Sequence, residues 1–409
     1  MHETLLRALP AAILSTALAS GRPVSFSEHI LSKLHNETVT GYALDGRTLV
    51  TWGDRLLSWR LPEGELQLVR GRGRAFAEGG CLLDVDGDGR LDIVVNEGTP
   101  ESRLVWYRAP QTSGSWTRHV IDTGVDAPDM MPATLLGHRG VLLIHKRMQV
   151  RFYEIPADPT ARWPYQEVYS FYSPSHQGGI RMADIDGDGL PDILAGMYWI
   201  RSPESFELPW RLFAIMLWNE TPESAMLRLR YGPLGGTRPE LLAAERDMHP
   251  ARLAHFEKPA DPRQLWIEHR IETVPDLAEV NSIETADFDS DGRPDILIAE
   301  KAGAARLMVL YNQGEGRWRP VVIAQGRPIC FARVVDVNED GRPDILAIRS
   351  DAIVWFENLN RRYRATSAAD EAHPGSDRRP APPHNPWGSR KAMHPPVQST
   401  ARPLPGSFQ

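Results

Sequence analysis

Four stretches of the chain share one pattern: "DVDGDGRLDI" from Asp84, "DIDGDGLPDI" from Asp184, "DFDSDGRPDI" from Asp287 and "DVNEDGRPDI" from Asp336. Each alternates oxygen-bearing side chains with spacers, turns at a glycine and then becomes apolar. The starts leave intervals of 100, 103 and 49 residues, so the period is near fifty and some copies have lost their acids. A period of that size indicates a propeller, solenoid or array, in which each repeat buries its faces against its neighbours.

The decayed copies can be placed. "GTRPELLAAE" from Gly236 aligns with "GRPDILIAE" once one residue is inserted, "DGRTLVTWG" from Asp45 keeps the turn, and "GHRGVLLIHK" from Gly137 keeps the apolar strand. Loop starts then fall near 41, 84, 134, 184, 232, 287 and 336, which makes seven units. Each unit continues with an aromatic-bearing strand: "LLSWRLP" at 56, "LVWYRAP" at 104, "VRFYEIP" at 150, "IMLWNET" at 215, "RLAHFEKP" at 252, "LMVLYNQG" at 307 and "IVWFENL" at 353. A further strand follows, as in "WTRHVID" at 116, "WIEHRIE" at 266 and "WRPVVIA" at 318, with weaker versions "ELQLVRG", "QEVYSFY" and "AMLRLRY". β-Branched and aromatic runs between Gly, Pro and Asp turns are strand signals.

The seventh unit lacks its last strand, and "FSEHILS", Phe26–Ser32, has the form of "WTRHVID". An N-terminal strand that completes the last blade would close the ring and remove its open edges. The expected fold is all-β: a seven-bladed β-propeller of four-stranded blades over 24–362. With 409 residues and 42% hydrophobic content, one such ring can hold most of the chain.

The flanks differ in character. Residues 1–19 carry Arg7, a short apolar run from Ala8 to Leu18 and the small-residue pattern Ala17-Leu18-Ala19, so a signal peptide and a secreted or periplasmic protein are expected. The run is too short to span a bilayer. Residues 363–409 are polar and Pro-rich, and a disordered tail is expected there. Cys81 and Cys330 fall in non-adjacent repeats and are expected to be small buried residues rather than a disulfide.

These repeats resemble the FG-GAP/VCBS type found in integrin-α-like propellers, on the strength of the four acidic loops and the W-x-x-H-x-I strands. The Phe-Gly…Gly-Ala-Pro element of the family name is not evident, so the likeness is to the VCBS variant. The resemblance guides fold more than function, because this fold hosts many roles.

The loops suit Ca²⁺, which takes six to eight oxygens at flexible distances. Asp84, Asp86 and Asp88 would supply side chains at positions one, three and five, Arg90 a backbone carbonyl, and Asp92 a closing carboxylate. The corresponding sets are Asp184, Asp186, Asp188, Leu190 and Asp192; Asp287, Asp289, Asp291, Arg293 and Asp295; and Asp336, Asn338, Asp340, Arg342 and Asp344. Up to four structural Ca²⁺ ions are expected, the last loop being the weakest because Asn338 is neutral. The bland alternative is an acidic turn whose carboxylates bond backbone amides.

Ligand-binding residues are expected on the opposite face, at the channel mouth: His176, Tyr198, Trp199, Arg246, His249, Glu279 and Asn281. Tyr198 and Trp199 come from "AGMYWIRSPESFELPWRLF", taken as a long exit loop of blade four. Aromatic faces beside charged groups suit glycans. No G-x-S-x-G, P-loop, H-E-x-x-H or C-x-x-C motif occurs. A net charge of −7 argues against a general nucleic-acid binder. The leading expectation is a monomeric module that binds a protein or glycan without turnover; the alternative is a polysaccharide lyase or sugar dehydratase using His176 and Arg246. The third is a purely structural or adhesive module.

Overall fold

In the computed structural model, residues 25–34, 38–62, 65–73, 75–98, 101–111, 114–171, 178–218, 226–234 and 239–360 are described. The expected signal segment, the expected tail and His176 lie outside them.

The chain begins with β1 (Phe26–Lys33). Blade one is β2–β5 (Val39–Asp45, Thr48–Gly53, Leu56–Arg60, Glu65–Arg70), and blade two is β6–β9 (Phe76–Leu83, Asp92–Glu97, Arg103–Arg108, Thr117–Thr123). Blade three is β10–β13 (Asp129–Leu135, His138–His145, Gln149–Glu154, Tyr165–Ser170), and blade four is β14–β17 (Ile180–Ala183, Asp192–Ala195, Tyr198–Arg201, Arg211–Ala214). Blade five is β18–β21 (Leu227–Gly232, Glu240–Glu245, Leu253–Glu257, Ile267–Arg270), and blade six is β22–β25 (Val280–Ala286, Asp295–Glu300, Leu307–Asn312, Trp318–Ala324). Blade seven contributes β26–β28 (Ile329–Val335, Asp344–Arg349, Ala352–Asn358).

Each blade is an antiparallel sheet of four strands, and the seventh is completed by β1 in the order β1-β28-β27-β26. The first strands touch in a closed cycle, β2 to β6, β10, β14, β18, β22, β26 and back to β2, so they form the inner wall of the ring. Among the described residues there is no helix, and none is long and apolar enough to cross a membrane.

The second strands explain the apolar runs of the sequence. β7, β23 and β27 are buried at every position, because a blade is sandwiched between two others and its middle strands have no solvent face. Two-face burial erases the alternation that a half-exposed strand would show. The cores lie between blades; one joins Val94, Leu104 and Trp106 of blade two to Val141, Leu143 and Tyr153 of blade three. Burying each such side chain is worth roughly 1.5–3 kcal/mol. Close approach fixes some small residues. A Cβ on Gly41 would sit 2.3 Å from both the Glu78 carbonyl oxygen and the Trp52 ring nitrogen, while Trp52 Nε1 donates to Glu78 O at 3.0 Å and ties blade one to blade two.

The recurring histidines are cross-strand partners of third-strand aromatics. His119 stands opposite Trp106 and His29 opposite Trp355, each ring pair stacked with centroids 4.7 Å and 4.6 Å apart. Such pairs stabilise sheets beyond area burial. The shared form of "FSEHILS" and "WTRHVID" therefore marks one structural position, and β1 fills it. Cys81 and Cys330 are free thiols, the first buried and the second half-buried.

Blade four departs from the sequence reading. Its third strand is β16, Tyr198–Arg201, reached from β15 through Gly196-Met197, so "YWIR" is sheet rather than a long exit loop. Residues Ile215–Trp218 belong to no strand, although Ile215, Met216 and Trp218 are buried. "LRLRY" is β18, the inner strand of blade five, not the last strand of blade four. The apolar run from Ile215 is core filling between blades four and five, and burial alone does not distinguish that from a strand.

Candidate metal loops and polar channel

The four acidic loops each join the first and second strands of a blade, in blades two, four, six and seven. The position-one aspartate shapes the loop. Asp84 Oδ1 accepts from the amides of Gly87 (2.8 Å) and Asp88 (3.1 Å), and Oδ2 from Gly89 (2.9 Å). Asp184, Asp287 and Asp336 accept loop amides in the same manner. The glycine at position six has φ of 83°, 85°, 85° and 82° across the loops, a left-handed conformation that disfavours a Cβ.

The position-nine aspartate is a buried staple. Asp92 Oδ2 accepts from Val85 N at 3.1 Å and Oδ1 from Ala109 N at 2.7 Å, so one carboxylate joins the loop to the end of the third strand. Asp192 bonds Ile185 and Ser202, Asp295 bonds Phe288 and Asn312, and Asp344 bonds Val337 and Asn358. All four are fully buried. Burial pushes the carboxyls of Asp92, Asp192 and Asp344 up to about 6 and that of Asp295 up to about 7, against the lowering effect of the amides they accept.

Position five accepts the amide of position seven in all four loops, whereas position three joins a carboxylate cluster in three of them. In three loops a set of carboxylates offers oxygens within 4.8 Å of one another: Asp84, Asp86 and Asp92; Asp184, Asp186 and Asp192; Asp287, Asp289 and Asp291. Two of these loops hold buried carboxylate oxygens without a hydrogen-bond partner: both oxygens of Asp86, and Asp289 Oδ1. Burial, then the charges of Asp291 and Asp287, raise the Asp289 carboxyl above its ordinary range. An orphaned oxygen within a carboxylate cluster is what an all-oxygen divalent site presents, and the donor set suits Ca²⁺. In the blade-seven loop, Asn338 Nδ2 turns toward Glu357 Oε1 at 3.4 Å.

Within the ring, charged side chains from several inner strands converge. Arg228 of β18 donates to Glu78 of β6 (3.2 Å), and to the side chain and carbonyl of Asn281 (2.9 Å each). Arg246, just after β19, donates to Glu78 at 2.8 Å. Glu284 of β22 accepts from Arg230 of β18 (2.8 Å) and Arg333 of β26 (2.7 Å). Asp129 accepts the amides of Gly179 and Ile180; burial raises its carboxyl, and Arg228 opposes that rise. Burial likewise raises the Tyr42 hydroxyl beside Arg333.

Of the residues expected to bind a ligand, Arg246 and Asn281 come together, through Glu78 and Arg228. Glu279 holds a left-handed φ of 45° and passes its carbonyl to Lys301 N. His249 is exposed, on the loop after β19. Tyr198 packs on Phe171 and Trp199 on Phe213, both within core clusters. Sequence reasoning missed Arg228, Arg230, Glu284 and Arg333, which read singly as polar strand residues. It also missed a groove on the metal-loop face between blades four and five, where Asp186, Arg201 and Arg211 meet Arg263 over Trp199 and Phe213.

Residues 287–347 match the FG-GAP-like repeat family. No curated protein matches the sequence. Among solved structures, YCF48 from Cyanidioschyzon merolae is similar, with a TM-score of 0.51 at 10% identity over 81% of this chain and 98% of that chain, a likeness of fold. With seven closed blades and that match on the sixth and seventh, the chain is a β-propeller carrying FG-GAP-like repeats.

Proposed function

We propose that this propeller is an exported, calcium-stabilised module that binds a protein or glycan ligand without turnover. The observation that carries the calcium reading is the blade-six loop, where Asp287, Asp289 and Asp291 cluster and Asp289 Oδ1 is buried without a partner. A divalent cation there would satisfy that oxygen and relieve the repulsion of three close carboxylates. Ca²⁺ suits the loop better than Mg²⁺, which demands compact octahedral geometry and keeps its waters.

The ligand face is the inner wall and the mouth opposite the loops, where Arg246, Asn281, Glu78 and Arg228 form one bonded group. That group offers fixed donors and acceptors in the inner wall, an arrangement suited to orienting a polar ligand. Arg246 is already held by Glu78, which supports positioning rather than proton transfer. Bound-metal analysis of the purified protein, melting in EGTA and in Ca²⁺, and a glycan-array screen test the reading. Retained calcium, a midpoint that falls in EGTA and recovers with Ca²⁺, and saturable ligand binding are expected. A metal-free protein with an EGTA-insensitive midpoint would remove the calcium part.

A further inference from the structure

The residue after which the third strand meets the position-nine staple differs among the four loops, and the difference decides what neutralises each one. The amides bonded to Asp92, Asp192, Asp295 and Asp344 belong to Ala109, Ser202, Asn312 and Asn358. The residues just before them are Arg108, Arg201, Tyr311 and Glu357. In blade two, Arg108 Nε lies 2.5 Å from Asp86 Oδ2 and its Nη2 lies 3.9 Å from Asp88 Oδ2. The first contact is off the hydrogen-bond line, so it is an electrostatic pair. In blade four, Arg201 Nε pairs with Asp186, and Nη2 donates to Asp188 at 2.6 Å. A guanidinium on the position-three carboxylate thus occurs twice; in blade four it also bonds position five, whereas in blade two Asp88 is held by Arg90.

Blade six has no such cation. Tyr311 stands at that position, and Arg293 pairs with Asp291, as Arg90 does with Asp88 in blade two, so among the described residues no cation pairs with Asp289. Blade seven has Glu357, which faces Asn338 and takes His29 at 2.9 Å on its other oxygen.

We infer that Arg108 and Arg201 are built-in cations that take over the role of the metal in the loops of blades two and four, so that the calcium requirement falls first on blade six. The inference rests on the calcium reading above and sharpens it. The guanidinium holds the position-three carboxylate of each cluster, and an incoming Ca²⁺ must displace it or share that carboxylate. Both arginines are side chains of the blade surface, 43% and 37% exposed, so they can swing away at modest cost and the block is partial. Blade six offers no competitor to Asp289, so its loop takes the ion without displacing a cation from that carboxylate.

The test is calcium titration of the full chain by calorimetry, with native mass spectrometry to count bound ions, on the parent, Arg108→Gln, Arg201→Gln, the double variant and Asp289→Ala. In the parent, one site that Asp289→Ala removes should be at least tenfold tighter than those of blades two and four. Each Arg→Gln change should strengthen one weak site about tenfold, and Arg201→Lys, which keeps a charge but loses the two-pronged geometry, should strengthen it less. Unchanged affinities and ion count in the double variant, with the Asp289-dependent site intact, overturn this inference and leave the calcium reading standing. No calcium bound by the parent or any variant overturns both. Melting in EGTA checks that every variant is folded; the arginine variants should melt lower than the parent there and recover with Ca²⁺.

Discussion

Glu78 of blade two accepts a hydrogen bond from Arg246 of blade five at 2.8 Å, so two blades that are not neighbours in the ring are joined through its centre. Arg228 adds a second contact to the same carboxylate and also holds Asn281 of blade six. Both arginines are mostly buried, at 16% and 17% exposure.

Removing the carboxylate leaves Arg228 on the neutral Asn281 and Arg246 beside the exposed Asp247, 3.3 Å away. Glu78→Ala is expected to cost on the order of 2–3 kcal/mol, below the full penalty of a dry ion pair because the site keeps some water. Arg246→Ala is expected to cost less, since Arg228 still satisfies Glu78. Denaturant midpoints of the two variants check the order; a larger loss in Arg246→Ala would refute it.

The loops hold two kinds of aspartate, and substitution should separate them. Asp295→Ala leaves the amides of Phe288 and Asn312 without an acceptor, at roughly 1–3 kcal/mol for each buried amide. Its midpoint should therefore fall by a similar amount in Ca²⁺ and in EGTA. Asp289→Ala removes an oxygen that has no partner, so in EGTA it should melt no lower than the parent. Only in Ca²⁺ should it fall behind, by roughly 2.7 kcal/mol at a hundredfold excess over Kd.

That division was only half legible in the sequence. The repeated D-x-[DN]-x-D-G pattern located all four loops, because acids at alternate positions before a glycine have few other uses. It did not show that position nine accepts two backbone amides, since those amides belong to residues seven places back and ten or more places on. Ring closure was legible because His29 and His119 mark one cross-strand position. Blade four was not, because Ile215–Trp218 is apolar for the sake of a core between blades while the four-residue β16 hides beside a glycine. The channel group was legible only in part: strand order placed Arg246 and Asn281 at the channel mouth, but Arg228, Glu284 and Arg333 come from three different blades, and no local pattern links them.

Closure by β1 carries its own prediction. Its register with β28 runs from Phe26 opposite Asn358 to Lys33 opposite Ala352, and Phe26 packs edge-on against Phe288 at 5.9 Å. Deleting residues 25–33 would bare the edge of β28, a ready template for pairing with another chain. The truncated protein is expected to melt lower and to associate, and a peptide spanning Ser25–Lys33 should partly reverse both effects. Light scattering during a thermal ramp, with and without the peptide, is the measurement. A truncated ring that associates no more than the parent and melts with it would show that the closing strand is dispensable.

His145, at the end of β11, gives a pH dependence of known sign. It is 5% exposed, and its Nδ1 accepts from Asp126 N at 3.4 Å. Burial, followed by the charges of Arg151 and Lys146, pushes its pKa down to about 4, with Asp126 and Asp122 pulling the other way. In the unfolded chain the same imidazole takes its proton near pH 6.5. Between those values the unfolded state binds more protons than the folded one, so this residue's contribution to stability falls as pH drops from about 6.5 to about 4 and is constant outside that window. The raised aspartates Asp92, Asp192, Asp295 and Asp344 act in the opposite sense over an overlapping range, because there the folded state holds the extra protons. The sign is therefore carried by a difference. On going from pH 7 to pH 4.5, the parent should lose more stability, or gain less, than His145→Gln, which has nothing to titrate at that position. Urea midpoints for both proteins at the two pH values measure it. Parallel shifts would mean that His145 accepts its proton in the folded state as readily as in the unfolded one.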